Sequence, residues 1–369
     1  MKRRSVGIAL VAVLLAGLGV IGAALFQGGG IPVNPRDPMA PDAPIPMAVL
    51  GDSGSHSYQD SLVFNSPTRP GGAFHAGTFQ WTEVLARLRP NEIDLGPWVR
   101  WGSRSSIAAA REWLGLSGRR VPKKEDYLYN FAVTGAACEH LMGNRVYQAR
   151  RLVALMDTEP ERWRRGVVVI AIGGNDFGTQ LDLEAKDPSS PVLLDLSAHC
   201  AREIGRAVAL IHAKHPTTRI VLVGLTGEAD DPLMVDRWQT AQETANIQAS
   251  LDLFNGAIRK VGEGDPRISF VDLSAWSRRL VGGRTASGKP DYKTIALGPN
   301  IRVTHSLGDD PRNMVLANDH NGVALNALWT QALVRHLIDA FGLPLTPISD
   351  EEVIHFLEPL FNSPTAPGS

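Results

Sequence analysis

The chain has 369 residues, 44% of them hydrophobic and 20% charged, with a formal net charge of −1. That size and apolar content can bury a large core and suit one big α/β domain or two modest ones. The near-neutral balance, with no Arg-rich helical stripe, argues against a nucleic-acid partner.

Lys2, Arg3 and Arg4 precede the uncharged run SVGIALVAVLLAGLGVIGAALF. A basic flank before an apolar stretch is the layout of an export segment. At about 20 residues the stretch exceeds the usual ~7–15 of a cleaved signal and is long enough to span a bilayer. Residues 1–27 are therefore read as a signal peptide or as an uncleaved anchor over 5–26, with Gly22-Ala23-Ala24 a mediocre cleavage site. Either way the basic flank stays inside and the rest crosses a bacterial-type inner membrane, giving a periplasmic or secreted protein. The G-x-G-x-x-G at Gly17, Gly19 and Gly22 falls inside this segment without a preceding strand and is accidental. Residues 28–45, rich in Gly and Pro without apolar periodicity, read as an extended tether.

Apolar runs of strand length then alternate with longer amphipathic segments. Strands are expected at Met47–Leu50, Tyr127–Val133, Val167–Ile172, Ile220–Leu225 and Ile268–Leu273; VVVIAI and IVLVGL are apolar almost throughout, as in strands covered on both faces. Helices are expected at Phe79–Leu88, Cys138–Met156, Ala198–Lys214, Gln239–Val261 and Val323–Phe341. A β-α alternation implies a parallel sheet between helix layers, the main domain spanning 46–342. Residues 277–317 read as a polar, glycine-rich insertion. Residues 343–369 read as a tail with one helix, Asp350–Phe361, and a disordered Pro/Ser end.

In an open parallel sheet, ligands gather beyond the carboxyl ends of the strands. The first strand ends in Gly51-Asp52-Ser53, the second runs into Thr134-Gly135-Ala136, and the third into Gly173-Gly174-Asn175-Asp176. Asn318-Asp319-His320-Asn321-Gly322 precedes the last long helix. A serine on a tight strand-to-helix turn with a histidine available suits nucleophilic acyl transfer. The backbone amides of Ser53 and Gly135 and the Asn175 side-chain amide are the donors for the oxyanion.

VLGDS, NFAVTGA, IGGND and a His before the final helix, in that order, make the chain resemble the SGNH/GDSL hydrolases over residues 46–342. The resemblance implies a three-layer αβα, flavodoxin-like fold with a five-stranded parallel sheet. It also implies cofactor-free, metal-free ester hydrolysis, with Ser53 as nucleophile, Gly135 and Asn175 as oxyanion donors and His320 as base. One position departs from the family pattern: Ala317 stands where an aspartate three residues before the histidine is usual. Asp319 is then the candidate third member, with the Ala317 carbonyl or Asp309/Asp310 as alternatives.

His56, His75, Trp98 and Trp101 are further candidates for substrate contact, the tryptophans because flat apolar rings stack on sugars. Each has a competing packing role. Asp52 and Asp176 are read as turn-fixing acids, Asn130 as a buried support, and His212 and His215 as solvent-facing residues at a helix end. Trp81, Trp163, Trp238 and Trp329 are read as packing residues. Cys138 and Cys200 either form a disulfide or stay as buried thiols. Three functions fit: a short-acyl esterase acting on a small-molecule or glycan ester, an O-acyltransferase using the same site, and a non-catalytic binding domain. The small, polar surroundings of Ser53 favour acetyl, and export favours a glycan ester.

Overall fold

The computed structural model describes Ala40 and residues 43–65, 69–114, 120–299 and 301–362. The expected export segment, nearly all of the tether and the Pro/Ser end lie outside them. Among the described residues no helix is long and apolar enough to cross a membrane.

The main sheet has five parallel strands: β1 (Ile45–Gly51), β2 (Ile93–Asp94), β5 (Val167–Ala171), β6 (Arg219–Val223) and β7 (Ile268–Val271), ordered β2-β1-β5-β6-β7. Between β2 and β5 runs an antiparallel hairpin of β3 (Trp98–Trp101) and β4 (Lys124–Tyr127). Side chains alternate across each strand, so every strand feeds two cores. Met47, Val49, Val167, Val169, Val221 and Val223 pack on one face; Ala48, Leu50, Val168, Ile170, Ile220 and Leu222 pack on the other.

The first face is covered by α1 (Trp81–Leu88), α9 (Val323–Phe341) and α10 (Asp350–Asn362). The second is covered by α3 (Gln148–Met156), α6 (Pro191–Lys214) and α7 (Ala241–Val261). The shorter helices are α2 (Ser105–Trp113), α4 (Pro160–Trp163), α5 (Leu181–Lys186) and α8 (Leu273–Val281). This is the expected three-layer αβα sandwich. Ranked along the chain, the five sheet strands stand in the flavodoxin-like order 2-1-3-4-5, whose direction reverses between β1 and β5.

Local chemistry explains several departures from the expected boundaries. Tyr127–Val133 is not a sheet strand: β4 turns away into the hairpin, and only Tyr129, Phe131 and Val133 exchange backbone bonds with Val49 and Gly51 of β1. The edge place at the start of β1 goes to the two-residue β2, pairing Ile45 and Pro46 with Ile93 and Asp94. The helix expected over Cys138–Met156 breaks into a short 3₁₀ turn, Cys138–Leu141, and α3. Gly143 interrupts it, and Asn144, Arg145 and Tyr147 take positive φ between the two pieces. By contrast, α6 starts earlier than expected because Ser190 caps it and Pro191 opens it.

The insertion is folded. It holds the end of α8, the hairpin of β8 (Gly282–Arg284) and β9 (Pro290–Tyr292), and a small sheet of β10 (Thr294–Leu297), β11 (Ile301–Leu307) and β12 (Asn313–Val315). Arg284 organises part of it by donating to the Ala229 and Gly288 carbonyls. Nor do His212 and His215 face solvent. His215 is buried with Nε2 on Asp157, and His212 Nε2 meets the Thr218 carbonyl. Trp81, Trp163, Trp238 and Trp329 are all buried. Cys138 and Cys200 are joined in a disulfide that ties the 3₁₀ turn to α6.

Candidate active site

The turn after β1 is built by short polar bonds. Asp52 Oδ1 accepts from the Gly54 amide at 2.9 Å, and its carbonyl accepts from the Ser55 and His56 amides, an Asx-type turn that lifts Ser53 off the strand end. Asp52 is thus the turn-fixing acid expected, and burial pushes its carboxyl up to about 6. Gln148 of α3 clamps Gly51, accepting from its N–H and donating to its carbonyl, both at 2.8 Å. A Cβ at Gly51 would run into the Ala171 carbonyl oxygen, so only glycine lets β1 lie this close to β5. From the other side, the capping box of α1 reaches in: Gln80 Nε2 donates to the Ser53 carbonyl, and Glu83 accepts from the Tyr58 and Gln59 amides.

The Gly135 loop stands beside Asn175. Gly135 is exposed at φ +73, and open space lies where its Cβ would be. The Asn175 amide donates one N–H to the Ala136 carbonyl at 3.0 Å, which leaves the second for a ligand. Asp176 accepts from the Cys138 amide at 2.9 Å and so pins the loop carrying Asn175, as expected. Asn130 is fully buried, donating to the Ser55 carbonyl and accepting from the Ala132 amide.

His320 sits on a tight loop between β12 and α9. The Asp319 amide donates to the Leu316 carbonyl and the Leu316 amide to the His320 carbonyl, with Asp319 at φ +66. Tyr58 braces this loop, its hydroxyl donating to the Asn321 carbonyl and its ring edge-on to the imidazole. The ring Nδ1 lies 2.9 Å from the Asn318 carbonyl. The expectation that Asp319 orients the ring is therefore not met. The Asp319 carboxyl instead shares a hydrogen bond with that of Asp231, while still close enough to His320 to feel its charge. Asp309 accepts from the Ala317 amide and Asp310 pairs with Arg312, so these carboxylates are engaged elsewhere. The orienting group is a backbone carbonyl, that of Asn318 rather than Ala317.

Ser53, Asn175 and His320 line one cavity of about 410 Å³ at the carboxyl ends of β1, β5 and β6. Its floor is apolar, with Trp81, Val169, Val223 and Trp329, and its far wall carries Glu228, Asp231 and Asp319. Burial, reinforced by repulsion from Asp319, raises Glu228 to about 8. Burial raises Asp231 to about 7. No sequence pattern marks these two, because they follow a strand whose sequence carries no motif.

The other candidates do not reach the cavity. His56 is fully buried, with Nε2 on Asp60 and Nδ1 accepting from the Thr134 amide. His75 belongs to the 3₁₀ turn Gly72–Gly77 with Nδ1 on the Pro70 carbonyl. Trp98 and Trp101 lie on β3; Trp98 meets Tyr127 edge-on, and the Arg120 guanidinium covers Trp101. A hairpin, not a cleft loop, carries these rings. The one grouping of metal-type side chains among the described residues, Cys138, Asp176 and Cys200, has both sulfurs in the disulfide.

The GDSL-like Lipase/Acylhydrolase family matches residues 96–300, more than half of the chain. The chain belongs to this family. A GDSL-like acylhydrolase is an ester-bond hydrolase, and the matched span holds Gly135 and Asn175 while Ser53 and His320 lie on either side of it. Among solved structures, this hydrolase is similar to a lipase from a goat rumen metagenome, with 16% identity, 63% of this chain and 81% of that one covered, and a TM-score of 0.32. It is also similar to an extracellular lipase from Streptomyces rimosus, at 15% identity, 67% and 86% coverage and a TM-score of 0.34. An acetylxylan esterase from Geobacillus stearothermophilus gives 13% identity, 84% and 99% coverage and a TM-score of 0.39. Similarity this remote says nothing about substrate. No curated protein matches the chain.

Proposed function

We propose that this hydrolase is an exported serine esterase that cleaves a short-acyl ester, acetyl above all, from a hydroxyl-rich alcohol such as a carbohydrate. The observation that carries the reading is the shared cavity of Ser53, Asn175 and His320 at the point where the strand order reverses. With Nδ1 held by a carbonyl, His320 Nε2 is the nitrogen left to take the Ser53 proton as Oγ attacks the ester carbonyl. The Ser53 and Gly135 amides and the second Asn175 N–H hold the oxyanion. His320 then protonates the departing alcohol, and a water activated by the same ring releases the acid.

The volume beyond what a short acyl group fills suits a sugar-sized alcohol, and the carboxyls of Glu228 and Asp231 supply hydroxyl-binding partners on that side. The basic flank and uncharged run at the N-terminus support export, as does the disulfide, a bond that persists in oxidising compartments. The test is turnover of p-nitrophenyl esters of increasing acyl length and of an acetylated oligosaccharide by the full chain and by Ser53→Ala. Ser53→Ala should abolish turnover, with acetyl the fastest acyl group in the intact protein. Activity surviving in Ser53→Ala overturns the nucleophile; rates that climb with acyl length overturn the short-acyl assignment. Recovery of the protein only from the cytosol overturns export.

A further inference from the structure

His56 and Asp60 form a buried pair with no exposed surface, packed against the Phe64 ring and outside the cavity. The pair connects the two loops that carry the proposed oxyanion donors. The His56 backbone belongs to the Ser53 turn, where its amide donates to the Asp52 carbonyl. Its ring crosses to the other loop, where Nδ1 accepts from the Thr134 amide at 3.0 Å. A backbone N–H only donates, so Nδ1 carries no proton, and the ring proton sits on Nε2, 2.8 Å from Asp60 Oδ2. The other Asp60 oxygen accepts from the Leu62 and Val63 amides, which fixes the carboxylate and thereby the tautomer.

Gly135 needs such a device. A Cβ added at Gly135 would meet nothing within 4 Å, so no neighbouring side chain packs over that face of the loop. Its peptide lies between two anchored neighbours: Thr134, bound to His56, and Ala136, whose carbonyl accepts from Asn175 and whose amide donates to Val133. The remaining charged groups near the ring are Lys124 and Asp126 of β4, themselves fully buried. Asp126 accepts from Ser57 Oγ at 2.6 Å, and Lys124 pairs with Asp126 at 2.7 Å and donates to the Ala132 carbonyl. These tie the same two loops a few residues further from the site.

We propose that His56 is a positioning residue that, through its Asp60-fixed tautomer and its bond to the Thr134 amide, aims the Gly135 N–H at the oxyanion. The role rests on the serine-esterase reading above. In it, Gly135 keeps the conformational freedom that substrate approach requires, and His56 removes the freedom that would misdirect its amide. A small misplacement of a catalytic donor is enough to cost rate heavily.

The experiment measures kcat and KM for p-nitrophenyl acetate in the full chain carrying His56→Ala, His56→Asn or Asp60→Asn, per active site titrated with a fluorophosphonate, and in Ser53→Ala, which has no nucleophile to titrate, per mole of protein. His56→Ala is expected to lose about 10- to 100-fold in kcat with KM within about twofold. His56→Asn, whose Oδ1 stands in for Nδ1 as acceptor, should recover most of that loss; Asp60→Asn, which frees the tautomer, should fall between. Intact kcat in His56→Ala, a loss borne by KM, or no recovery in His56→Asn overturns the proposal. If His56→Ala does not fold, Asp60→Asn decides in its place: lowered kcat at unchanged KM supports the role and intact kcat overturns it. Failure of all three variants to fold also overturns it, leaving His56 a core residue only. Turnover surviving in Ser53→Ala would instead sink the esterase reading, whereas turnover dependent on Ser53 but indifferent to His56 sinks the positioning role alone.

Discussion

A carbonyl that orients a catalytic imidazole differs physically from a carboxylate that does so. Both select the tautomer with the proton on Nδ1, but only the carboxylate carries a charge to stabilise the imidazolium that forms. With the Asn318 carbonyl on Nδ1 and Asp319 turned toward Asp231, Asp319→Asn should cost less than tenfold in kcat. His320→Ala should cost roughly 10⁴ or more. Steady-state kinetics on the two variants checks this, and equal losses would return Asp319 to the triad. Asn175→Ala should lower kcat by roughly 10²–10³, the cost of one oxyanion donor; a loss below tenfold would make its bond to Ala136 purely structural. Ser53, Asn175 and His320, which share one cavity, stand out in the sequence because each lies in a short polar motif that ends a buried strand or precedes a helix. The ring's partner does not, since the direction of an adjacent side chain depends on a left-handed turn at residue 319 that a sequence does not display. The aromatic and histidine candidates failed for a related reason: a tryptophan in a Gly/Pro-containing stretch reads the same whether it borders a cleft or, like Trp98, lies on a hairpin 37% exposed.

At the scale of elements, apolar runs located β1, β5, β6 and β7, and periodicity located α1, α7 and α9, because burial on both faces or on one stripe leaves a pattern in composition. The two-residue β2 leaves none. Its pairing follows from where α1 ends and where β1 begins. The insertion defeated a compositional reading because polar, glycine-rich sequence also builds small hairpins whose order comes from bonds such as those of Arg284. The disulfide acts at this scale, closing a loop of 62 residues between the 3₁₀ turn and α6. Chain-entropy arguments give such a crosslink about 4 kcal/mol of stabilisation. A Cys138→Ser/Cys200→Ser double variant should therefore melt several degrees lower. Because Cys138 also donates its amide to Asp176, catalytic rate should fall with it. Thermal melts beside activity assays check both, and an unchanged melting temperature would show that packing alone holds the segment.

Across the whole molecule, buried carboxyls store protons. Glu83 and Asp231 are raised to about 7 and Glu184 and Glu228 to about 8, burial being the main cause in each. In the unfolded chain these groups ionise near pH 4. The folded state therefore binds more protons between about pH 4 and 8, and stability falls as pH rises through that window. His56, lowered by burial, acts in the opposite sense: the unfolded chain takes up the extra proton, so its contribution is lost as pH falls below about 6.5. Stability should peak on the acid side of neutrality. Glu228→Gln should raise the melting temperature at pH 8 and leave it unchanged at pH 5; melts at the two pH values decide, and a gain equal at both would place the effect in packing rather than ionisation.

The hydroxyl of Ser53 arrives with the first strand, and the imidazole of His320 arrives just ahead of the last long helix. A growing polypeptide thus owns one without the other until it has been made as far as residue 320. On the proposed mechanism, a chain that stops before residue 320 should be inert toward esters, with hydrolysis appearing only once the His320 loop is in place. The order of parts along the chain makes completion of the fold a built-in safety catch.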